Sequence, residues 1–156
     1  MIKNIINYAY RVIIDLSYRE APTYTISFLF RRILVPIDGS ENSLKALDIA
    51  VDLAKYYGST VDALFVKPKG STLSIDPVEK AMRRVEKKPI KVNFRVVEYD
   101  PLSESASSKI ISEVIEGNYD LIVMGARGLN ISSEISIGST ALSVVSSAPV
   151  TVMVIK

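Results

Sequence analysis

The chain has 156 residues, 48% of them apolar, which suits one domain with a substantial core. Its 19 basic and 17 acidic residues leave a net charge of +2, too small to provide a general field for nucleic acid. The chain has no cysteine and no histidine, which excludes disulfides, thiolate nucleophiles, Cys/His zinc sites and every triad whose base is an imidazole.

The basic excess is local to the N-terminus. The first 32 residues hold five basic and two acidic side chains, so the rest of the chain carries 14 basic against 15 acidic ones. No apolar run approaches the length of a membrane span, and charged residues such as Arg11 and Asp15 interrupt the core that a signal peptide would need. We therefore expect an intracellular, cytoplasmic protein that does not bind nucleic acid.

Residues 2–16 carry apolar side chains at spacings of three and four, which predicts an amphipathic helix. These side chains are Ile2, Ile5, Ile6, Ala9, Val12, Ile13 and Leu16. Pro22 ends this region, and residues 23–30 alternate in the manner of an added strand or an extended arm. The sequence thus predicts an N-terminal extension over residues 1–30 and one domain over residues 31–156.

The predicted N-terminal helix is expected to pack on its own domain or on a partner subunit. The alternative is that residues 2–16 lie on an anionic membrane surface. That alternative is disfavoured because the segment has few Lys or Arg residues and no Trp.

Residues 32–37 form an apolar, β-branched run without alternation, which is typical of a strand covered on both faces. A turn at Asp38-Gly39-Ser40 follows, with Ser40 as a plausible N-cap for a helix that ends at Gly58. The predicted inner face of that helix consists of Leu44, Leu47, Val51 and Ala54. A second strand is expected over residues 61–66, broken by Pro68 and the residues after it.

The second half of the chain continues the alternation of strands and helices. We expect a charged helix over residues 77–88, an alternating strand near the sheet edge over 92–97, and a helix over 103–116 that stops at Gly117. The inner face of this last helix is predicted to hold Ile110, Ile111, Val114 and Ile115. A fourth strand over 121–124, a helix over 139–147 and a fifth strand over 150–155 complete the pattern. Such alternation predicts an α/β fold, an open doubly wound parallel sheet with helices on both faces.

Residues 125–140 read G-A-R-G-L-N-I-S-S-E-I-S-I-G-S-T and join the fourth strand to the following helix. Gly125 and Gly128 lack a Cβ, so the chain can take positive φ there and bring backbone N–H groups close to an anion without steric obstruction. Gly138 precedes two hydroxyls, Ser139 and Thr140, at a helix N-terminus, which favours phosphate. The alternative is a Gly-rich turn with a Ser N-cap and no ligand. The segment is neither a P-loop nor a dinucleotide fingerprint.

The chain at this point resembles the nucleotide-binding universal stress proteins. Gly125, Gly128, Gly138 and Ser139 reproduce their G-x2-G-x9-G-[ST] spacing. Three further stretches match as well: V-P-I-D-G-S at 35–40, Y-D-L-I-V-M-G at 119–125 and the closing S-S-A-P-V-T-V-M-V-I-K. The resemblance covers residues 31–156 and implies a Rossmann-like sheet of strand order 3-2-1-4-5. Strands 1 and 4 would then be adjacent, and ligands of such sheets bind beyond the carboxyl ends of the strands at that point.

The resemblance also implies a role for each matching residue. Asp38 would reach the adenosine moiety, Pro36 and Ile37 would wall the base, and Val66 would meet adenine through its backbone and side chain. The α and β phosphates would be held by Gly125, Arg127 and Gly128, and the distal phosphates by Gly138, Ser139 and Thr140. Plainer interpretations stay open: an Asx turn at Asp38, a solvated charge at Arg127 and core packing for the apolar residues.

We expect ATP as the ligand, together with Mg²⁺ if the triphosphate is intact. No carboxylate is clearly placed to bind the cation. Glu134 is the only nearby candidate, and we interpret it as a solvated charge, since water and phosphate oxygens can supply most ligands of Mg²⁺. No residue is recognisable as a base or water-positioning group for phosphoryl transfer, so we expect at most a weak ATPase.

The leading interpretation is an ATP-binding regulatory or interaction module that presents its nucleotide state to an unidentified protein partner. One alternative is a dimeric interaction module of the same fold that binds no nucleotide, or binds AMP. A less favoured alternative is an adenylating enzyme of the adenine-nucleotide α-hydrolase group, whose S-G-G-x-D-S type of loop is not matched by D-G-S-E-N-S.

The last strand, over residues 150–155, is short, apolar and at the sheet edge, where unpaired backbone groups invite pairing. In the family this strand pairs with its copy, so the resemblance implies a homodimer. Two departures from the family pattern are the short segment over residues 67–90 and the N-terminal extension.

Overall fold

A computed structural model describes residues 29–72, 76–129 and 136–156. The helix predicted over residues 2–16 and most of the predicted extended arm lie outside the described residues. At the end of that arm, Leu29 and Phe30 form a bend rather than a strand, and Phe30 has a φ of 59°.

Strands and helices alternate through the described part of the chain. The elements are β1 (Arg32–Ile37), α1 (Glu41–Tyr57), β2 (Thr60–Pro68), α2 (Pro77–Val85), β3 (Val92–Tyr99), α3 (Ala106–Glu116), β4 (Leu121–Gly125), α4 (Ser139–Ser147) and β5 (Thr151–Ile155). All strands pair in parallel, in the order β3-β2-β1-β4-β5. The predicted α/β fold and strand order are therefore confirmed.

The sheet is covered on both faces by helices, which explains why its central strands are mostly apolar, with Asp62 of β2 as a buried exception. One buried cluster packs under α1 and α2 and includes Leu47, Val51 and Ala81. The other packs under α3 and α4 and includes Leu64, Ile110 and Val144. Among the described residues, none of the helices combines the length and the apolar character needed to cross a membrane.

Local sequence signals fix both ends of α1. The Ser40 side chain accepts a hydrogen bond from the backbone N–H of Ser43 at 3.2 Å, which caps the first turn. At the other end Gly58 adopts the left-handed conformation with a φ of 71°, a conformation that glycine takes at little cost. Both boundaries of this helix match the prediction.

Other predicted boundaries and faces need correction. Pro68 was expected to break the second strand but is its last residue, because pairing with β1 stops at Ile37↔Phe65 and no β1 partner needs the missing N–H. Helix α3 begins at Ala106, not at residue 103. Its inner face includes Glu113, which is 5% exposed, while the predicted inner residue Ile115 is 59% exposed.

Candidate functional site

A crevice of about 830 Å³ opens at the carboxyl ends of β1, β2 and β4. The structure brings all the predicted site residues to its wall: Pro36, Ile37, Asp38, Val66, Gly125, Arg127, Gly128, Gly138, Ser139 and Thr140. Parallel strands present their carboxyl ends at one edge, and the order of β1 and β4 makes them neighbours, so segments distant in sequence meet there.

Asp38 follows β1, and its two carboxylate oxygens have different surroundings. Its Oδ1 accepts hydrogen bonds from the backbone N–H of Ser40 at 2.9 Å and from the Ser40 hydroxyl at 2.5 Å. Its Oδ2 faces Gly128, since a Cβ built on that glycine would lie 2.6 Å from this oxygen. Oδ1 therefore forms the Asx turn that the sequence allowed, whereas Oδ2 lies toward the crevice.

The glycines of the loop act through close packing and not through positive φ. Among the described glycines, positive φ occurs at Gly39, Gly58 and Gly70, so Gly125 and Gly128 do not use the positive φ that a glycine allows. A Cβ on Gly125 would lie 2.9 Å from backbone atoms of Asn42 and Ser43 in the first turn of α1. Gly125 thus lets the end of β4 pack against the start of α1.

The loop leads into an N-terminus of α4 that lacks a side-chain cap. Gly138 occupies the N-cap position without a side chain, and the first turn of α4 contains no acidic residue. The backbone N–H of Gly138 donates to the carbonyl of Ala126 at 2.7 Å, which closes the base of the loop. Ser139 and Thr140 are exposed beside this helix end. Free N–H groups and the positive end of the helix dipole make this part of the crevice attractive to an anion.

The crevice also has an apolar part of its lining. This part includes Leu64, Val66, Ile110 and Met124. Sequence reasoning assigned Ile110 to the core and did not place Ala106 or Ser43 at the site, although both line it. The available signal was topological, because the N-terminus of α3 follows β3 at the same sheet edge.

Strand β2 extends farther toward the crevice than its neighbour β1. The pairing of β2 with β1 ends at Ile37↔Phe65, whereas its pairing with β3 continues to Pro68↔Tyr99. The backbone N–H of Lys69 donates to the carbonyl of Tyr99 on β3. Backbone groups of successive residues in a strand point to alternate sides, so the carbonyl of Val66, three residues earlier, points away from β3 and toward the crevice. Within the described part of the chain, the carbonyl of Val66 has no register partner on β1.

Charged groups are sparse in the described lining. Asp38 and Arg127 are the charged residues there, and Arg127 is half-buried. The described residues contain no cluster of three or more His, Cys, Asp or Glu side chains that could hold a metal. Glu134, the carboxylate considered for Mg²⁺, lies outside the described residues.

Comparison with known proteins identifies relatives of the whole domain. The sequence model of the Universal stress protein family matches residues 29–156. A universal stress protein of Methanocaldococcus jannaschii is 29% identical over 146 residues, which cover 82% of this chain and 83% of the relative. A universal stress protein of Bacillus subtilis is 28% identical over 147 residues, which cover 80% of this chain and 99% of the relative.

Solved structures show the same fold. The universal stress protein UspA from Lactobacillus plantarum superimposes with a TM-score of 0.66 at 27% identity, over 82% of this chain and 99% of that one. A universal stress protein solved in complex with cAMP gives a TM-score of 0.62 at 20% identity, over 82% and 98% of the chains. One from Archaeoglobus fulgidus in complex with dAMP gives 0.64 at 20% identity, over 82% and 99%.

Proposed function

The chain belongs to the universal stress protein family, and on that premise we propose that its crevice binds ATP and that the protein is a nucleotide-dependent regulatory or interaction module. The observation that carries the proposal is that one crevice is lined both by apolar side chains of β2, β4 and α3 and by the uncapped N-terminus of α4, which attracts anions. An adenine nucleotide combines the matching features, a flat apolar base and phosphates.

The apolar part of the lining suits adenine. Val66 and Ile110 would cover the faces of the base, and the carbonyl of Val66 would accept from its exocyclic amine. Guanine carries an oxygen at that position, and two acceptors facing each other lose a hydrogen bond in a desolvated site. The relatives solved with cAMP and dAMP bind adenine nucleotides, which supports this choice.

Asp38 suits the ribose. Its Oδ2 lies toward the crevice and has no hydrogen bond to a described residue, so it would accept one from a ribose hydroxyl. The Oδ1 bonds to Ser40 hold the carboxylate in place, which reduces the entropy that binding would otherwise lose.

The N-terminus of α4 suits phosphates. The first-turn N–H groups of α4, the hydroxyls of Ser139 and Thr140, and the half-buried Arg127 would all meet negative charge there. Mg²⁺ bound with the triphosphate would neutralise part of its charge, and phosphate oxygens and water would supply most of its ligands.

We also propose that the protein hydrolyses ATP slowly or not at all. Asp38 is the only carboxylate in the described lining, and one of its oxygens already belongs to the turn. We therefore expect a turnover below about 1 per second, the lower end of the usual range for enzymes.

The edge strand β5 supports a homodimer in addition. Residues Val152, Met153, Val154 and Ile155 are all half-buried in the single chain, although the strand is apolar. The adjacent helix α4 exposes Leu142 and Val145, at 53% and 45%. Pairing of β5 with its copy across a two-fold axis would cover these apolar groups and satisfy the edge.

Mass spectrometry of nucleotide released by denaturing the purified protein tests the binding proposal. We expect stoichiometric ATP from the parent and none from Gly128→Val, because the new side chain would occupy the space beside Asp38 Oδ2. Thr72→Val, an exposed change after β2, is the matched control and should retain ATP. If the parent releases none and added ATP does not bind, the glycine loop is structural and the interaction module without nucleotide is favoured.

A further inference from the structure

Helix α3 carries a buried carboxylate one turn beyond the crevice wall. Ala106 and Ile110 of this helix line the crevice, whereas Glu113 does not. The Glu113 side chain is only 7% exposed and lies beside the apolar cluster under α3. A charge buried to this degree is strongly unfavourable unless partners compensate it.

Two cations compensate Glu113. Arg95 on the edge strand β3 places its Nη2 2.6 Å from Oε2, and Lys109, one turn earlier on α3, places its Nζ 3.2 Å from Oε1. Only the first of these contacts leaves the helix. The Arg95–Glu113 pair thus joins α3 to β3, at the sheet edge.

The pair is anchored deeper in the sheet through Tyr119. Arg95 Nη1 donates to the Tyr119 hydroxyl at 3.4 Å, and that hydroxyl donates to Asp62 on β2. Asn93 Nδ2 also donates to Asp62, at 2.7 Å. Arg95 therefore contacts Tyr119 through Nη1 and Glu113 through Nη2, so the network around Asp62 fixes the position of the guanidinium that pairs with Glu113.

A helix rises about 1.5 Å per residue, so Glu113 lies about one turn from Ile110 on the same inner face. Fixing the position of Glu113 fixes the rotation of α3 and its distance from the sheet at the crevice wall. We propose that the Arg95–Glu113 ion pair is a positioning device that sets the fit of Ala106 and Ile110 around the nucleotide base. This inference rests on the proposed function, and it assigns an indirect role to two residues outside the crevice.

Binding of AMP and of inorganic tripolyphosphate, measured by calorimetry, separates positioning from general destabilisation. In Glu113→Gln and Arg95→Met we expect AMP affinity to fall about tenfold, within the range of indirect couplings. Tripolyphosphate affinity should fall much less, because the N-terminus of α4 and the residues Gly125 and Gly128, rather than α3, would meet the phosphates. Glu116→Gln is the matched control: it lies on the same helix, is exposed, and accepts from Ser112.

A double-mutant cycle sharpens the test. If the pair acts as a unit, the double variant should bind AMP no more weakly than either single variant. Additive losses of AMP affinity, or equal losses for AMP and tripolyphosphate, would overturn the inference. Arg95 is 43% exposed, so its variant is expected to fold even if Glu113→Gln does not.

Hydrogen exchange decides the positioning role independently of nucleotide. We expect the amides of α3 to lose protection in both variants, and to lose more than those of α4, which packs on α3 but does not contact the ion pair. Unchanged protection in α3 would overturn the inference whatever the parent binds. Absence of AMP and ATP binding by the parent would instead overturn the proposed function, so the two failures are distinguishable.

Discussion

Gly125 and Gly138 belong to the same sequence motif but meet different surroundings. A Cβ on Gly125 would lie 2.9 Å from backbone atoms in the first turn of α1, which cannot move without displacing the helix. A Cβ on Gly138 would have its nearest contact at 3.4 Å, with the carbonyl of Ala126. The absence of a side chain is therefore a packing requirement at the first position and a much weaker one at the second.

Alanine substitutions at Gly125 and Gly138 should show how strongly stability depends on the missing side chain at each position. We expect Gly125→Ala to lower the free energy of unfolding by about 1–3 kcal/mol, the usual effect of overpacking. Gly138→Ala, the matched control, should change it by less than about 1 kcal/mol, because its φ of −74° suits any residue. Urea unfolding gives both values, and equal effects would show that the contact at α1 relaxes without strain.

At the scale of elements, a polar network ties the amino halves of β1, β2 and β3 together. Asp62 is 5% exposed and accepts from Arg32, Asn93 and the Tyr119 hydroxyl. Burial by itself raises the pKa of Asp62, but the hydrogen bonds from Tyr119 and Asn93, with the charge of Arg32, lower the pKa below its ordinary value. Burial and the bond to Asp62 raise the pKa of Tyr119.

These shifts predict a pH dependence of stability at both ends of the scale. The contribution of Asp62 is present above its unfolded pKa of about 3.9 and is lost as the pH falls through the lower folded value. The contribution of Tyr119 is present below its unfolded pKa of about 10 and is lost as the pH rises through the higher folded value.

Tyr119→Phe isolates the alkaline part of this dependence. We expect the variant to be less stable by about 1–3 kcal/mol at pH 7, since Asp62 loses a buried donor. The difference from the parent should shrink above about pH 10. Urea unfolding of both proteins across a pH series gives this difference, and a constant difference up to pH 12 would contradict the assigned role of the hydroxyl.

Glu113, which Arg95 links to this network, shows what a local sequence pattern cannot predict about a helix. The apolar period of α3 identified Ile110 and Val114 correctly, but both Glu113 and Ile115 lie next to that stripe. Hydrophobicity favours Ile115 as the inner residue. The structure buries Glu113 instead, because Arg95 on another strand compensates its charge, and such a partner is invisible to a local pattern.

At the scale of the whole molecule, the sheet has two open edges of different character. Strand β3 exposes the polar Asn93 and the charged Arg95 and Glu98 along one edge of the sheet, and exposed charges discourage pairing. Strand β5 offers Thr151 followed by a wholly apolar run. A homodimer should therefore form through β5.

Matched charge insertions at the two edges test the dimer. We expect Val154→Lys on β5 to give a monomer at micromolar concentration, because a lysine there would be buried against its copy. Val96→Lys on β3, where the native side chain is 52% exposed, should leave the dimer intact. Light scattering distinguishes the two states, and a monomeric parent would remove the basis for pairing through β5.

The parallel sheet could be predicted from the order of elements along the chain, whereas the strand order, and with it the position of the crevice, was implied by the resemblance to the universal stress proteins. Alternation of strands and helices gives the parallel sheet, and the motifs at Asp38 and Gly125 stand at strand ends. The reasons for individual residues were less accessible. Packing of Gly125 on α1 and the part of the crevice wall that α3 forms depend on how elements meet in space, which no single segment encodes.

The extension of β2 beyond β1 has a consequence for how the crevice would change in evolution. At the base, recognition would use the carbonyl of Val66, a main-chain group that no side-chain substitution can delete. Beside the proposed ribose position it would depend on the absence of a side chain at Gly128, because any side chain there would fill the space next to Asp38 Oδ2. Descendants of this chain should therefore lose their contact with the sugar more readily than their preference for adenine.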